Sequence, residues 1–345
     1  MKGNERIKEP IIPRNNPVYR SVKTKIKPGK LDGDLTKEFW QQGEWITDFH
    51  DIEGDSLPRP WKATRVKVLW DDEAIYVGAE LQDDTIWAYV TERDDVIFHD
   101  NDFEVFLSPV DCGHRYYEFE MNARNTVWDL YMERPQRDHV RRIIAWDIRG
   151  LESATKINGE LNNPNADNKS WSLELKLPYY SFRECPDGYC QAPKLAPDVG
   201  EVWKMDFSRV EWEVDIVDGK YAKRCGADGK PLPEHNWLWS PTGVIDAHMP
   251  EMWGYLVFTE NGEDHPLPAE DEVKFVLRKL YYREHKYSCE HEEFTADAAA
   301  LLGDEAAKYN VKAWVTPNMF EGIAEWNGET WHIDQDGYMW TGEHR

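Results

Sequence analysis

The feature that most constrains this chain is the period-two alternation of apolar and polar residues, repeated in one short segment after another. Val66, Val68 and Trp70 alternate with Arg65 and Lys67, and Asp71-Asp72-Glu73 then turns the chain into Ile75, Val77, Ala79 and Leu81. Phe103, Val105 and Leu107 alternate with Asp102, Glu104 and Phe106; Tyr117, Phe119 and Met121 alternate with Glu118, Glu120 and Asn122; Trp171, Leu173, Leu175 and Leu177 alternate with Ser172, Glu174 and Lys176. Successive side chains of a strand point to opposite faces, so each segment reads as a strand with one face on a core and one toward solvent. Trp203, Met205 and Phe207 continue the pattern, but the apolar parity then flips to Val210 and Trp212, which predicts a bulge. A last strand covers Gly254–Phe258. Many short strands separated by turn-rich loops predict a mainly β chain, an antiparallel β-sandwich.

The two ends differ from this middle. Pro10, Pro13 and Pro17 break regular structure, so residues 1–29 read as an irregular arm. After Pro268, Val273, Val276, Leu277, Leu280 and Tyr281 have helical spacing behind the acidic start Glu270-Asp271-Glu272. Ala298–Tyr309 reads as a second helix, and Asn327-Gly328 and Asp336-Gly337 mark hairpin turns. The expected organisation is therefore an arm at 1–29, a sandwich at 30–262, and a C-terminal α+β appendage at 263–345 that packs on the sandwich. Long loops at Gly54–Pro60, Asn158–Asn168 and Pro186–Gly200 are where binding residues tend to gather.

Charge narrows the ligands. Sixty-five acidic residues against 41 basic ones give a net charge of −24, which argues against nucleic acid and against an anionic membrane surface. Neutral sugars and cations stay open. The sequence shows no apolar run of the roughly 18 residues that a membrane-spanning helix needs, so no membrane insertion is expected. The start, MKGNERIKEP, has no apolar signal core. This predicts a cytoplasmic protein if Met1 is the natural start, and an extracellular or periplasmic one if the chain has been trimmed. Five cysteines form no dense framework; Cys185 and Cys190 are near enough to bridge a loop, although reduced thiols are the simpler expectation.

Several segments together resemble carbohydrate-binding module family 9 and its larger family-9-like relatives. Leu31-Asp32-Gly33-Asp34 with Phe39-Trp40 is similar to the family's first motif, and TRVKVLWDDEAIYVGAELQD to its central hairpin. IFHDNDFEVFLSP is similar to its W-x-x-D-x-x-E-x-F-x-D signature, and YYEFEMNARNTVWD, WSLELKLP, WKMDFSRVEW, WLWSPTG and HMPEMWGYLVF follow in family order, so the resemblance spans roughly 30–262. It implies a sandwich that binds carbohydrate without catalysis, within a glycan-degradation system. Some relatives bind the ends of plant polysaccharides such as xylan and cellulose, with two tryptophans clamping a sugar ring. Aligned on Glu104, the first clamp position falls on Phe98 and the second near Ala247, so the clamp is not preserved as such. Asn101 and Glu104 match polar positions of the signature. No cofactor is required; some relatives hold structural calcium, but its ligands are not placed by the sequence.

The chain carries 17 tryptophans, more than a core needs. Sugar binding asks for an aromatic face against the C–H face of the ring and for amides and carboxylates toward its hydroxyls. Phe98, Trp128, Trp212 and Trp239 are the stacking candidates, with core packing as the competing role for Trp212, Trp237 and Trp239. Asn101, Glu104, Asn122, Arg209 and His248 are the polar candidates, and for Asn122 the competing role is that of a turn amide. Glu118/Glu120 and Asp102/Glu104, as i,i+2 pairs on strands, lie roughly 6.6–6.8 Å apart, which leaves a glycoside hydrolase using Glu104, Glu118 or Glu120 as the alternative. Two weaker constellations remain: His285, Cys289 and His291 with Glu292 as a zinc site, and Met121, Met205 and His248 as axial ligands of a haem-binding sandwich.

Overall fold

The computed structural model describes residues 3–137, 141–183 and 196–343. Among the described residues, fifteen strands precede the C-terminal helix: β1 (Val18–Lys23), β2 (His50–Asp51), β3 (Thr64–Trp70), β4 (Ala74–Gln82), β5 (Asp102–Ser108), β6 (Tyr116–Asn122), β7 (Val127–Arg134), β8 (Arg141–Ile143), β9 (Glu152–Asn158), β10 (Ser170–Pro178), β11 (Val202–Glu211), β12 (Val214–Val217), β13 (Lys220–Lys223), β14 (His235–Leu238) and β15 (Gly254–Thr259). All but β12 and β13 belong to one curled sheet, with path β8-β7-β6-β5-β11-β15-β1-β3-β4-β10-β9 and β14 and β2 branching from β11. The two halves of the path fold face to face. Val66, Val77 and Leu173 from one half and Val105, Phe119 and Met205 from the other share a single apolar core. The chain is mainly β, as its alternation predicts.

Three sequence expectations need correction. Part of the segment read as an irregular arm is β1, which pairs in parallel with both β15 and β3 and so joins the two halves. Its buried Tyr19 and Ser21 supply the contacts: the Tyr19 hydroxyl donates to the Glu44 carbonyl and Ser21 Oγ to the Val68 carbonyl. Second, β11 has no bulge against β5; the register runs without interruption from Lys204 opposite Ser108 to Val210 opposite Asp102. The parity flips because the outer face at this end of the strand is itself covered, with Val210 packed among Trp87, Trp212 and Tyr221. Third, β5 and β6 are buried on both faces, so their acidic alternation is not a solvated surface.

The Leu31-Asp32-Gly33-Asp34 motif is a clasp. The Asp32 and Gly33 amides each donate to Glu174 Oε2 on β10 at 2.8 Å, and Trp40 Nε1 donates to Oε1 at 2.7 Å. Gly33 has φ of +79°, and a Cβ there would stand 2.4 Å from the Lys156 nitrogen, so glycine is required.

The C-terminal part opens with α1 (Asp271–His291). Ala298–Tyr309, read as one helix, is two: α2 (Ala298–Leu302) and α3 (Asp304–Lys308), divided by Gly303 at φ +60°. A four-stranded sheet follows, β16 (Lys312–Val315), β17 (Phe320–Trp326), β18 (Glu329–Asp334) and β19 (Met339–Thr341). Asn327 and Gly328, both at positive φ, form its two-residue β17–β18 turn. The apolar stripe of α1 packs on this sheet, and the same cluster takes in Met249 and Met252 of the sandwich and Ile7 of the arm. Among the described residues no helix is long and apolar enough to cross a membrane. The Cys185–Cys190 pair lies outside the described residues.

Candidate functional site

The outer face of β5, β6 and β7 is the floor of a cavity of about 830 Å³. Because β5, β6 and β7 are antiparallel neighbours in register, Glu104 faces Glu120 across one ladder, and Phe106 faces Glu118; Glu120 in turn faces Trp128, and Glu118 faces Leu130. These six side chains all line the cavity. Phe98, in the 3₁₀ turn Ile97–His99 before β5, closes one side, and its amide donates to Glu120 Oε2 at 3.1 Å. The walls come from far along the chain: Glu5, Arg6 and Lys8 of the arm, Arg137 and Arg142 near β8, Glu234 and Asn236 at β14, and the segment Gly243–Met249.

The electrostatics of the floor are unusual. Burial pushes the carboxyls of Asp102, Glu118 and Glu120 well above the ordinary carboxylate range, and repulsion from Glu104 adds to it. Glu104 itself is raised by burial to about 7. The i,i+2 spacing seen along each strand is not the closest relation among these acids. One carboxylate oxygen from each of Asp102, Glu104 and Glu120 lies within 4.8 Å of the other two, across the β5–β6 ladder. His248 is held neutral, its pKa lowered by burial to about 4; its Nδ1 shares a 2.8 Å hydrogen bond with the Tyr116 hydroxyl, and its Nε2 stands 3.8 Å from Glu118 Oε1. An all-oxygen cluster of this kind fits a hard cation better than zinc or haem.

Of the residues singled out for carbohydrate, Phe98, Glu104, Trp128 and His248 line the cavity. Ala247, the expected second clamp position, lines it too. The others do not, and each has a structural role instead. Asn101 accepts from the Trp212 amide at 2.8 Å. Asn122 is a turn amide: its Oδ1 accepts from the Arg124 and Thr126 amides, and its Nδ2 donates to Asp100 and to the Val90 carbonyl. Arg209 is 1% exposed and fork-bonded to Glu211, within an ionic network that also holds Lys62 and Asp83. Trp212 donates from Nε1 to the Phe98 carbonyl and lies beneath the Lys223 ammonium, 3.2 Å from the ring centroid. Trp239 is in the sandwich core, packed on Phe207. Trp237 is also core, edge-on to Trp61.

The two weaker constellations separate. His285 has both ring nitrogens engaged, Nδ1 with the Asn4 amide and Nε2 with the Gln335 carbonyl, while His291 is exposed and stacked on Tyr287. Met121 and Met205 point into the sandwich core, whereas His248 lines the cavity on the opposite face of the sheet, so the three cannot share a haem. The wall residues Arg137, Arg142, Glu234 and Asp246 were not legible in the sequence. Each is brought to the cavity by tertiary packing, with no local pattern to mark it.

Comparison with known proteins agrees with this architecture. Residues 31–149 match the model described as "Carbohydrate family 9 binding domain-like". No curated protein matches the chain. Among solved structures, a nominal carbohydrate-binding protein from Bacteroides uniformis ATCC 8492 is similar at 15% identity and TM-score 0.50, over 71% of this chain and 100% of its own. A carbohydrate binding module family 9 from Caldicellulosiruptor kristjanssonii, in complex with cellotriose, is similar at 15% identity and TM-score 0.41, over 73% of this chain and 98% of its own. The first of these shares the fold. The segment matched by the family model holds β3 to β7 and with them Phe98, Glu104, Glu118, Glu120 and Trp128. Residues 31–149 are thus similar to the carbohydrate family 9 binding domain-like model.

Proposed function

We propose that this chain binds carbohydrate, without cleaving it, in the cavity above β5, β6 and β7. The observation that carries the reading is the composition of the cavity. Aromatic rings of Phe98, Phe106 and Trp128 stand beside the carboxyls of Glu104, Glu118 and Glu120 and the amide of Asn236, all on one concave surface of about 830 Å³. Aromatic faces take the C–H side of a sugar ring and the polar groups take its hydroxyls, and a cavity of several hundred Å³ holds one or a few sugar units. The match of residues 31–149 to the family-9-like model makes β-linked plant glucans and xylans the first ligands to try, with glycan degradation as the proposed setting.

The alternative is hydrolysis by a pair of these acids: the oxygens of Asp102, Glu104 and Glu120 come within 4.8 Å of one another, and retaining glycosidases hold their two carboxyls roughly 5–5.5 Å apart. Calorimetry with cello-, xylo- and host-glycan oligosaccharides, with released reducing ends assayed in the same mixtures, tests both points. Heat without turnover is the expected result. Turnover abolished by Glu120→Gln would replace the proposal with the hydrolase reading, and silence from every glycan would remove the carbohydrate reading.

A further inference from the structure

A second concave surface lies beyond Phe98. It is a cleft of about 480 Å³ between β13 and residues 87–100 of the connection from β4 to β5. Trp87, Tyr89 and Tyr221 give it rings, and Glu92, Asp95 and Lys223 give it polar groups of both signs. The Trp87 and Tyr89 rings stand 5.4 Å apart, inclined at 47°. Tyr89 is 44% exposed, and its hydroxyl donates to the Tyr221 carbonyl at 3.0 Å, so the ring is held in place with much of it bare. Trp87 is only 3% exposed, yet its indole N–H has no hydrogen-bond partner among the described residues. A buried donor without an acceptor is costly, and an oxygen from water or a ligand relieves that cost.

The cleft adjoins the cavity above β5, β6 and β7. Phe98 lines the one, its neighbours His99 and Asp100 line the other, and the Phe98 and His99 rings meet edge to face with centroids 5.1 Å apart. Trp212 and Lys223 complete the partition: the Trp212 indole donates to the Phe98 carbonyl, and Lys223 Nζ lies over the Trp212 ring. One chemistry, rings beside hydrogen-bonding groups, is thus repeated on either side of a single residue pair. Rings take the C–H face of a sugar, and polar groups of both signs suit hydroxyls, which donate and accept. We propose that the cleft holds a further unit of the glycan seated against Phe98, with Tyr89 as its stacking platform. The protein then recognises a stretch of several sugar units rather than a single terminal one. This second subsite rests on the carbohydrate reading of the Phe98 cavity.

The test is calorimetric titration of the full chain with cello- and xylo-oligosaccharides, from mono- to hexasaccharide, which reads the gain in affinity with length. In wild type the affinity should rise about tenfold or more from the disaccharide to the hexasaccharide of the series that binds. Tyr89→Ala should cut that gain to below about threefold, whereas Phe98→Ala should weaken every length by a similar factor. Tyr89→Phe keeps the ring and loses the hydroxyl's tie to β13, and it should keep the gain. The proposal alone is overturned if affinity is flat with length, or if Tyr89→Ala retains the full gain. It is also overturned if Tyr89→Phe loses the gain, because the tie to β13 and not the ring would then be responsible. Silence from both series overturns it together with the plant-glycan reading on which it rests.

Discussion

Replacing Glu251 by Gln should loosen the C-terminal part from the sandwich at a large and pH-dependent cost. Glu251 precedes β15 and meets Arg137 Nη2 through both oxygens, at 2.8 and 3.0 Å; it also accepts from the Tyr282 hydroxyl of α1 and lies 3.9 Å from Arg278 Nε. Arg137, Arg278, Tyr282 and Glu251 are all buried. Removing the single anion leaves two buried guanidinium groups uncompensated, which costs about 3–5 kcal/mol. The shift of its pKa gives a second figure. Burial alone would raise the Glu251 pKa, but Arg137 and then Arg278 outweigh it and hold the group at about 2, against an ordinary 4.5. A depression of that size corresponds to about 3 kcal/mol of folding free energy. Because the folded pKa is lowered, this stability is present above pH about 4.5 and is lost as the pH falls toward 2. Urea unfolding of wild type and Glu251→Gln at pH 7, 5 and 3 should show a gap of about 3 kcal/mol at neutral pH that narrows on acidification. A gap below about 1 kcal/mol at pH 7, or one indifferent to pH, would refute the assignment of this network as a buried anchor.

Three further outcomes follow from the packing. Glu284 is fully buried with Oε1 unpartnered, and burial raises its pKa to about 7 from an ordinary 4.5; the stability it allows below pH about 4.5 is lost as the pH rises through 7, so Glu284→Gln should raise the melting midpoint at pH 8 and change it little at pH 4.5. Gly33→Ala combines a φ of +79° with a Cβ 2.4 Å from the Lys156 nitrogen, and thermal melts should show a loss above about 1 kcal/mol; an unchanged midpoint would mean the clasp on Glu174 is slack. Trp239→Ala empties part of the sandwich core and should cost about 3–5 kcal/mol in urea unfolding, whereas a loss of ligand affinity in a still-folded variant would contradict its placement away from the cavity.

The fold was legible because strand alternation is local: β3 to β6, β10 and β15 each follow from their own residues. The long apolar stripe of α1 was legible for the same reason. What the sequence hid was mostly coverage. Glu104, Glu118 and Glu120 alternate like the outer face of any solvated sheet, and nothing local reveals that the arm and Gly243–Met249 cover that face. Cross-strand register hid the acid cluster in turn, since Glu104 and Glu120 are 16 positions apart in sequence and opposite each other in the ladder. Arg209 and Trp212 were plausible sugar ligands by residue type, yet buried partners absorb their polar atoms, and Asn101 spends its Oδ1 on the Trp212 amide. Phe98, singled out because an aromatic in the polar FHDND segment has no strand face to occupy, lines the cavity.

The central claim is that a sugar occupies the cavity bounded by Phe98. Its most direct test is the affinity of the best-binding oligosaccharide for wild type, Phe98→Ala and Trp61→Ala. Trp61 is 54% exposed and lies outside the cavity, so it controls for adventitious stacking on a surface ring. Loss of the Phe98 ring removes apolar contact worth about 1–2 kcal/mol, or about tenfold in affinity. The account predicts that weakening for Phe98→Ala and none for Trp61→Ala. Full affinity in Phe98→Ala, or its loss in Trp61→Ala instead, would place the sugar elsewhere on the molecule and contradict the account.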